Sequence, residues 1–378
     1  MRRRCLSRAD RARPVFVAAA LLALVSSGCG STGPTTASPN DGRTASVAEP
    51  GKGDSAPKPA GAPPPSPTTS PDGATENCES AALALENELV RVVEEVAPSV
   101  VLIQTDQGLG SGVVFDDQGN IVTNYHVVGS ATSFRVVLAD GKAYDGTLVG
   151  AFPADDLAVI HIDGGRAVPA RFGDSSELEV GDIVLAIGNP LGLQSSVTEG
   201  IVSAVARTVT EENGVTLPNV IQTSAAINPG NSGGALVSLA GEVVGVPTLA
   251  AVDPQLGGGA APGIGFAIPS NLVTDIAAQL VEHGKVVDSH RAYLGIRVAA
   301  TTAGGVLVAS VEPGGPADQA GIAQGDVIVA IDGQPTPTPV ELSAVLATLA
   351  PEQITRVDIV HPDGTQASVE VTLGEYPG

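Results

Sequence analysis

Short apolar segments rich in β-branched residues recur along the middle of the chain, separated by glycine, asparagine and aspartate. These segments cover residues 99–104, 112–115, 121–123, 134–138, 157–162, 183–187 and 243–246. Segments of this length, bounded by turn dipeptides such as Asp140-Gly141, are typical of strands in all-β proteins. The pattern therefore predicts a mainly β domain built as a sandwich or as a pair of barrels.

Two other segments have helical periodicity. Leu85, Leu89, Val92 and Val96 recur at helical spacing before Pro98, and a second apolar pattern over residues 271–283 ends at Gly284. We therefore expect one helix before the β domain and another at its end.

A different pattern begins near Tyr293. Strands are predicted at residues 294–299, 305–311, 326–331 and 354–361, and a helix at residues 339–349. About 85 residues of this kind are enough for a small α+β module. Residues 286–290 form the predicted linker to it.

The first 29 residues have the pattern of an export signal. Six arginines precede Pro14, an apolar run covers residues 14–25, and small residues lead to Cys29. The run is shorter than the roughly 20 apolar residues of a membrane span. Its end resembles the lipobox of bacterial lipoproteins, although Ser26 stands where that motif prefers Leu. We expect lipidation of Cys29 and anchoring at the extracytoplasmic membrane face; an uncleaved anchor and secretion with an unmodified Cys29 are the alternatives.

The segment after Cys29 is rich in Pro, Ser, Thr and Gly and includes Pro63-Pro64-Pro65-Ser66-Pro67. Such a composition predicts a disordered tether. The predicted organisation is a signal peptide at 1–29, a linker at 30–78, the β domain at 79–288 and the α+β module at 291–378.

Composition adds limits on the core and on partners. Hydrophobic residues make up 43% of the chain but aromatic residues only 3%, with no Trp, so the core is expected to be aliphatic. The net charge of −22 argues against a nucleic-acid partner, because phosphate binding relies on clustered Lys and Arg. The three cysteines, Cys5, Cys29 and Cys78, provide no disulfide framework for the folded domains.

The strongest chemical signal is Gly230-Asn231-Ser232-Gly233-Gly234. A nucleophilic Ser needs a tight glycine-lined turn that exposes its hydroxyl and directs backbone N–H groups at the oxyanion of a tetrahedral intermediate. Ser232 is the candidate nucleophile, and the amides of Gly230, Asn231 and Ser232 are the candidate oxyanion hole. A plain turn is the alternative in a chain with 46 glycines.

A base and an acid are needed beside such a serine. His126, at the end of a predicted strand, is the best-placed of the five histidines, although a structural role is its alternative. Asp155 and Asp156 both precede the strand at 157–162, and the residues alone do not choose between them. The order His, Asp, Ser is that of the chymotrypsin-type double β-barrel.

Several segments together resemble the HtrA family of trypsin-like serine proteases from about Cys78 to Gly378. They are Gly110-Ser111-Gly112-Val113-Val114, Thr123-Asn124-Tyr125-His126-Val127-Val128, Asp156-Leu157-Ala158-Val159, Gly188-Asn189-Pro190-Leu191-Gly192 and residues 221–234. The resemblance selects Asp156 as the acid. It implies a trimeric, ATP-independent extracytoplasmic endopeptidase, needing no metal or cofactor, that degrades misfolded or signalling proteins after small or medium apolar residues. By motif position, Ile227 lines the specificity pocket.

The chain departs from the family pattern at two positions: Ser224 replaces an Asp and Ala235 replaces a Pro. Residues 208–218 and 256–263 correspond in position to regulatory loops of the family, so activation by substrate or by a bound peptide is expected. The short segment between Gln104 and Gly110 favours a trimer over larger cages.

The C-terminal module resembles a PDZ domain. Tyr293-Leu294-Gly295-Ile296 matches the loop that binds a peptide carboxylate, and the peptide would add as a strand beside residues 296–298. Leu342, Val345, Leu346 and Leu349 would complete an apolar pocket for hydrophobic C-terminal peptides. The alternative is that these residues only pack the module.

Two other functions compete with the endopeptidase. One is a proteolytically inactive chaperone or peptide-binding scaffold, and the other is an esterase with the same triad. Cleavage of an unfolded protein, lost on replacement of Ser232, would separate them.

Overall fold

The computed structural model describes residues 72–378, except 107, 165–166, 190–195, 211–214, 229, 254–258 and 302–303. The predicted signal peptide, Cys29 and the tether up to residue 71 lie outside the described residues. So do Pro190-Leu191-Gly192 and parts of the two predicted regulatory loops.

The chain enters the β domain through helix α1. This helix spans Asp72–Val96 and is followed by a 3-10 turn at Ala97–Ser99. It starts before the residues whose apolar spacing predicted it and overlaps the end of the predicted linker. Asp72 is favourable at a helix N-terminus, and the Ala and Glu residues that follow favour helix. Val92 and Val96 of its last turns are buried against the barrels.

Six antiparallel strands form the first closed barrel, in the order β1-β2-β3-β6-β5-β4. Their bounds are β1 Val100–Gln104, β2 Leu109–Val114, β3 Asn120–Asn124, β4 Ser133–Val137, β5 Ala143–Phe152 and β6 Leu157–Ile162, with the short helix α2 at Tyr125–Val128 and a 3-10 turn at Pro153–Asp155. Aliphatic side chains such as Val101, Ile121 and Ile160 fill its interior.

A second closed barrel follows, in the order β10-β11-β12-β9-β8-β7. Its strands are β7 Ile183–Gly188, β8 Ser196–Thr210, β9 Thr216–Thr223, β10 Ala235–Ser238, β11 Val243–Asp253 and β12 Gly259–Pro269, preceded by a 3-10 turn at Ser175–Glu177. Helix α3, Ser270–His283, then packs Val273, Ile276 and Leu280 into the core shared by the two barrels. The prediction of a barrel pair with a closing helix is confirmed.

The C-terminal module is a small α+β unit. Its elements are β13 Ala292–Tyr293, β14 Ile296–Ala300, β15 Val306–Val311, α4 Pro316–Gln319, β16 Val327–Ile331, β17 Gln334–Pro335, α5 Pro339–Leu346, β18 Ile354–Val360, β19 Gln366–Thr372 and β20 Gly374–Glu375. The main sheet has the order β14-β15-β16-β18-β19, which places β14 at its edge. Helix α5 ends at Leu346, three residues before the predicted end.

The cores are aliphatic, as the composition predicts. Phe152 is the one aromatic residue among the largest fully buried side chains of the described residues. Within the part of the chain that the structure describes, no helix is both long enough and apolar enough to cross a membrane.

Candidate active site

The imidazole of His126 and the carboxylate of Asp156 meet on the first barrel. His126 lies in α2, directly after β3, and Asp156 directly precedes β6. The two strands are paired with Asn124 opposite Leu157, so residues that follow β3 lie beside residues that precede β6. His126 Nδ1 is 2.8 Å from Asp156 Oδ2. The strand register therefore brings the predicted base and acid into contact.

The Asp156 carboxylate is held from several sides. The residue is 1% exposed and has left-handed backbone angles (φ 52°), which Asp tolerates better than most side chains. Its Oδ1 accepts the backbone N–H of His126 at 2.9 Å, and its Oδ2 also accepts the hydroxyl of Thr248 at 2.6 Å. A carboxylate at Nδ1 keeps the proton of a neutral imidazole on that nitrogen, so Nε2 carries no proton and can act as a base.

Thr248 joins the acid to the candidate nucleophile and was not identified from the sequence. It lies in β11 of the second barrel and is buried. While its hydroxyl donates to Asp156, its carbonyl oxygen accepts the hydroxyl of Ser232 at 3.0 Å. Asp156 and Thr248 are 92 residues apart, and no local motif marks Thr248. Only the folded structure reveals this residue.

The segment Gly230–Gly234 forms a tight turn between β9 and β10. Gly233 has φ +78°, and a Cβ there would lie 2.3 Å from the carbonyl oxygen of Ser111 and 2.4 Å from Thr123 Oγ1. Only glycine therefore fits this position. The turn packs directly against β2 and β3 of the first barrel, which brings Ser232 to the side of the cleft that carries His126.

Asn231 closes the same turn from within. Its side chain accepts the N–H of Asn228 at 3.0 Å and donates to the carbonyl of Ala226 at 3.0 Å, while its own N–H donates to the Asn228 carbonyl at 3.1 Å. Because the Asn231 amide is used inside the turn, Gly230 and Ser232 are the stronger candidates for oxyanion donors.

His126 and Ser232 line one open cavity of 780 Å³ between the barrels. Gly230, Thr248 and the predicted pocket residue Ile227 also line it. Ile227 is 6% exposed and packs tightly on Gly265, where a Cβ would come within 2.3 Å of its Cγ1. The wall beside the candidate nucleophile therefore includes the aliphatic side chain of Ile227.

Asp155, the other carboxylate that the sequence offered, has a different partner. It is 1% exposed and forms an ion pair with Arg291, whose guanidinium also donates to the carbonyls of Ala154 at 2.7 Å and Thr216 at 2.8 Å. Burial raises the pKa of the Asp155 carboxyl, and the Arg291 charge opposes that rise. The structure thus places Asp156 against His126 and Asp155 against the start of the C-terminal module.

The remaining polar candidates lie elsewhere. His161 contacts Asn120, and His361 contacts Asp326 within the C-terminal module. Among the described residues, no group of three or more His, Cys, Asp and Glu side chains is arranged to hold a metal ion.

The loop Tyr293-Leu294-Gly295-Ile296 runs from β13 into the edge strand β14. Gly295 has φ +71° and Leu294 is buried in the module. A cavity of 880 Å³ lies between β14, α5 and the β8–β9 hairpin of the second barrel. Among its lining residues are Leu294, Gly295, Ile296, Val298, Leu342, Leu346 and Leu349. Val345 packs in the module core instead.

The sequence comparisons agree with this geometry. The family model for a trypsin-like peptidase domain matches residues 110–246, and that for a PDZ domain matches residues 307–359. The serine endoprotease DegS of Escherichia coli (strain K12) is 39% identical over 281 residues, which cover 71% of this chain and 77% of DegS. The chain belongs to the HtrA family of trypsin-like serine proteases with one PDZ domain.

Other members of the HtrA family show the same relationship. The periplasmic serine endoprotease DegP of Escherichia coli (strain K12) is 41% identical over 281 residues, covering 71% of this chain and 58% of DegP. The chain thus spans little more than half the length of that relative. The solved structure of the HtrA-type protease AlgW with a decapeptide has a TM-score of 0.54 and 32% identity, covering 76% of this chain and 99% of that chain.

Of the two departures from the HtrA pattern, Ser224 has a clear structural role. Its hydroxyl accepts the backbone N–H of Ile201 at 3.0 Å and so ties the segment after β9 to β8. Ala235 begins β10 and pairs with Ile187 of β7.

Proposed function

We propose that this protein is an exported, ATP-independent serine endopeptidase that cleaves misfolded or signalling proteins and is regulated by peptides bound to its PDZ domain. The observation that carries the proposal is the hydrogen-bonded array around Asp156, which joins His126 Nδ1 at 2.8 Å to the Thr248 hydroxyl at 2.6 Å. Thr248 in turn accepts the hydroxyl of Ser232.

His126, Asp156 and Ser232 each have a defined chemical role. Once the Ser232 hydroxyl turns from the Thr248 carbonyl to His126, Nε2 takes its proton as the Ser232 oxygen attacks the peptide carbonyl, and later delivers it to the leaving amine. Asp156 orients the imidazole and stabilises the imidazolium. The amides of Gly230 and Ser232 bind the oxyanion, and water then hydrolyses the acyl-enzyme.

Substrate choice follows from the wall of the cleft. Ile227 lies beside Ser232 in a cavity of 780 Å³ and presents an aliphatic surface. Such a surface favours small or medium apolar side chains before the cleaved bond. These side chains are accessible in unfolded chains and buried in folded ones, so the specificity favours misfolded proteins.

Regulation uses the groove between β14 and α5. An edge strand has unpaired backbone groups, and a peptide can add to it while its carboxylate binds the loop from Tyr293 to Ile296. The AlgW structure was solved with a decapeptide, which supports a peptide-binding role for this module. Because the β8–β9 hairpin lines the same cavity, a bound peptide would contact the protease part directly.

Location and assembly are proposed from the sequence. The signal-like residues 1–29 and the periplasmic location named for relatives support export, with lipidation of Cys29 and a linker over residues 30–78. We assign residues 79–288 to the protease domain and 291–378 to the PDZ domain, and we propose a homotrimer.

The test is cleavage of unfolded casein by the full-length chain and by its Ser232→Ala variant, each with and without a hydrophobic C-terminal peptide. We expect cleavage by the wild type alone and stimulation by the peptide. A Gly295→Trp variant, which blocks the carboxylate loop, should keep basal cleavage and lose stimulation. If the wild type binds the peptide but cleaves nothing under any condition, the protein is a peptide-binding scaffold instead.

A further inference from the structure

Ser111 lies at the contact between the two barrels, beneath the nucleophile turn. It belongs to β2 of the first barrel and is 0% exposed. Its backbone N–H donates to the carbonyl of Ser232 at 3.0 Å, and its hydroxyl donates to the carbonyl of Gly230 at 2.5 Å. One residue of the first barrel therefore holds the nucleophile turn of the second at two points.

The same hydroxyl also accepts the backbone N–H of Asn189 at 2.8 Å. Asn189 is buried, and the preceding Gly188 lies so close to the turn that a Cβ there would be 2.4 Å from Asn231 Cα. The Gly188-Asn189 segment, a motif to which the proposed mechanism assigns no role, is thus joined to the nucleophile turn through a single hydroxyl.

We infer that Ser111 is a positioning residue that fixes the oxyanion-binding conformation of the Gly230–Ser232 turn. This inference rests on the proposed function.

The physical reason lies in the peptide planes of the turn. The candidate donor N–H of Ser232 belongs to the peptide plane between Asn231 and Ser232. Ser111 binds the carbonyls of the two neighbouring planes, that of Gly230 before it and that of Ser232 after it. Gly230 has φ +114°, a conformation that glycine adopts and leaves easily. The Ser111 hydroxyl selects one orientation of the Gly230 carbonyl and so limits rotation about Gly230, whose own N–H is the second candidate donor.

Loss of the hydroxyl cannot be repaired by solvent at this buried position. A Ser111→Ala variant leaves the Gly230 carbonyl and the Asn189 N–H without this partner, so the turn is held less tightly against the first barrel. Catalysis is sensitive to displacements of about 1 Å, which can reduce the rate by about 10²-fold. We expect kcat to fall by about that factor while KM for a peptide anilide changes little, because Ile227 and the substrate-binding wall are untouched.

The test uses the full-length chain with a saturating hydrophobic C-terminal peptide, a peptide anilide substrate and a peptide boronic acid that mimics the tetrahedral intermediate. In Ser111→Ala, the boronic acid should lose affinity in proportion to kcat, whereas a non-reactive product peptide should bind as before. A purely structural role would not weaken the boronic acid selectively. Equal losses for both ligands, or an unchanged kcat, would overturn the inference.

Ser270→Ala is the matched control. Ser270 is also 0% exposed, and its hydroxyl donates to the carbonyl of Gly173 at 2.7 Å, away from the triad. This variant should leave kcat and boronic acid affinity unchanged. If Ser111→Ala does not fold, Ser111→Cys, which keeps a weak donor at this site, should show a smaller fall in kcat at constant KM.

Labelling of Ser232 by a fluorophosphonate separates this inference from the proposed function. The reagent reacts with an activated serine and needs no peptide cleavage. If the wild type labels but cleaves nothing, the proposed function fails, and slower labelling of Ser111→Ala still supports the inference. If the wild type neither labels nor cleaves, both fail.

Discussion

At the scale of single residues, the chemistry depends on how each oxygen of Asp156 is used. Oδ1 accepts the His126 backbone N–H, and Oδ2 accepts both the imidazole Nδ1–H and the Thr248 hydroxyl. All of these are donors, so the site requires a group that only accepts. An ionised carboxylate meets that requirement, whereas an amide does not.

Replacement of Asp156 by Asn tests this requirement. An amide NH₂ facing Nδ1 favours the other imidazole tautomer, with the proton on Nε2, where it can no longer accept from Ser232. We expect kcat to fall by about 10⁴-fold at neutral pH. Asp155→Asn is the contrasting variant, because Asp155 contacts Arg291 and not His126. If kcat falls as much in Asp155→Asn as in Asp156→Asn, these roles are contradicted.

The pair of adjacent carboxylates also shows what the local sequence could predict. The pattern before β6 identified Asp155 and Asp156 as candidates and could not separate them. Which of the two carboxylates contacts His126 depends on the left-handed turn at Asp156 and on Arg291, which is 136 residues away from Asp155. Thr248 was missed for the same reason, since its role comes from contacts distant in sequence.

At the scale of elements, some strands were predicted from the sequence and others were missed. The apolar segments of β1, β6 and β7 match strands closely. β8 was not predicted, because most of its side chains are exposed and its pairing with β9 shifts register repeatedly between Val202 and Val209. Each bulge changes which side chains face the core, so the alternation that marks a strand is lost.

The nucleophile turn is an element that depends on glycine, and Gly233→Ala tests it. A Cβ at Gly233 would overlap the Ser111 carbonyl and the Thr123 hydroxyl, so the turn must move away from the first barrel. We expect kcat/KM to fall by more than about 10²-fold in a variant that still folds.

Gly141→Ala is the control for that variant. Gly141 has φ +79°, almost the same as Gly233, but a Cβ there meets nothing within 4 Å. The Gly141→Ala substitution should therefore introduce only the strain of a left-handed backbone, which lowers stability by about 1–2 kcal/mol, and should leave kcat/KM unchanged. Similar losses of activity in both variants would mean that backbone strain, not the contact with β2, is responsible.

At the scale of the whole molecule, the C-terminal module is joined to the turn that carries Asp156, the proposed catalytic acid. Arg291 pairs with Asp155, the residue before Asp156, and donates to Thr216 at the start of β9. Tyr376 packs edge-on against Phe152, with ring centroids 6.1 Å apart, and against Tyr293 of the proposed peptide-binding loop at 5.5 Å. The Arg291 ion pair and the Tyr376 ring contact therefore join the C-terminal module to residues just before Asp156 in the chain.

Arg291→Gln tests the charged part of this junction through the pH dependence of stability. Burial raises the pKa of Asp155 in the folded protein and Arg291 opposes the rise, so removing the cation raises that pKa further. A carboxyl with a raised folded pKa stabilises the fold while protonated, and this stability is lost as the pH rises from the ordinary Asp pKa through the folded one. The variant should therefore unfold at a lower temperature than the wild type, by a difference that is smallest near pH 4 and grows towards pH 8.

The test also predicts how large the stability difference between the wild type and Arg291→Gln should be, and it uses a double variant as a control. Removing one partner of a buried ion pair costs about 3–5 kcal/mol, and that full cost applies only where Asp155 is ionised. The double variant Asp155→Asn with Arg291→Gln has no carboxyl at position 155, and neither does Asp155→Asn alone. The difference in unfolding temperature between these two proteins should therefore not vary with pH. Thermal unfolding of the four proteins across this range measures both effects. The unfolding temperature of the wild type could instead exceed that of Arg291→Gln by an amount that stays constant or shrinks as the pH rises. Arg291 would then act through its bonds to Ala154 and Thr216 and not through the charge of Asp155.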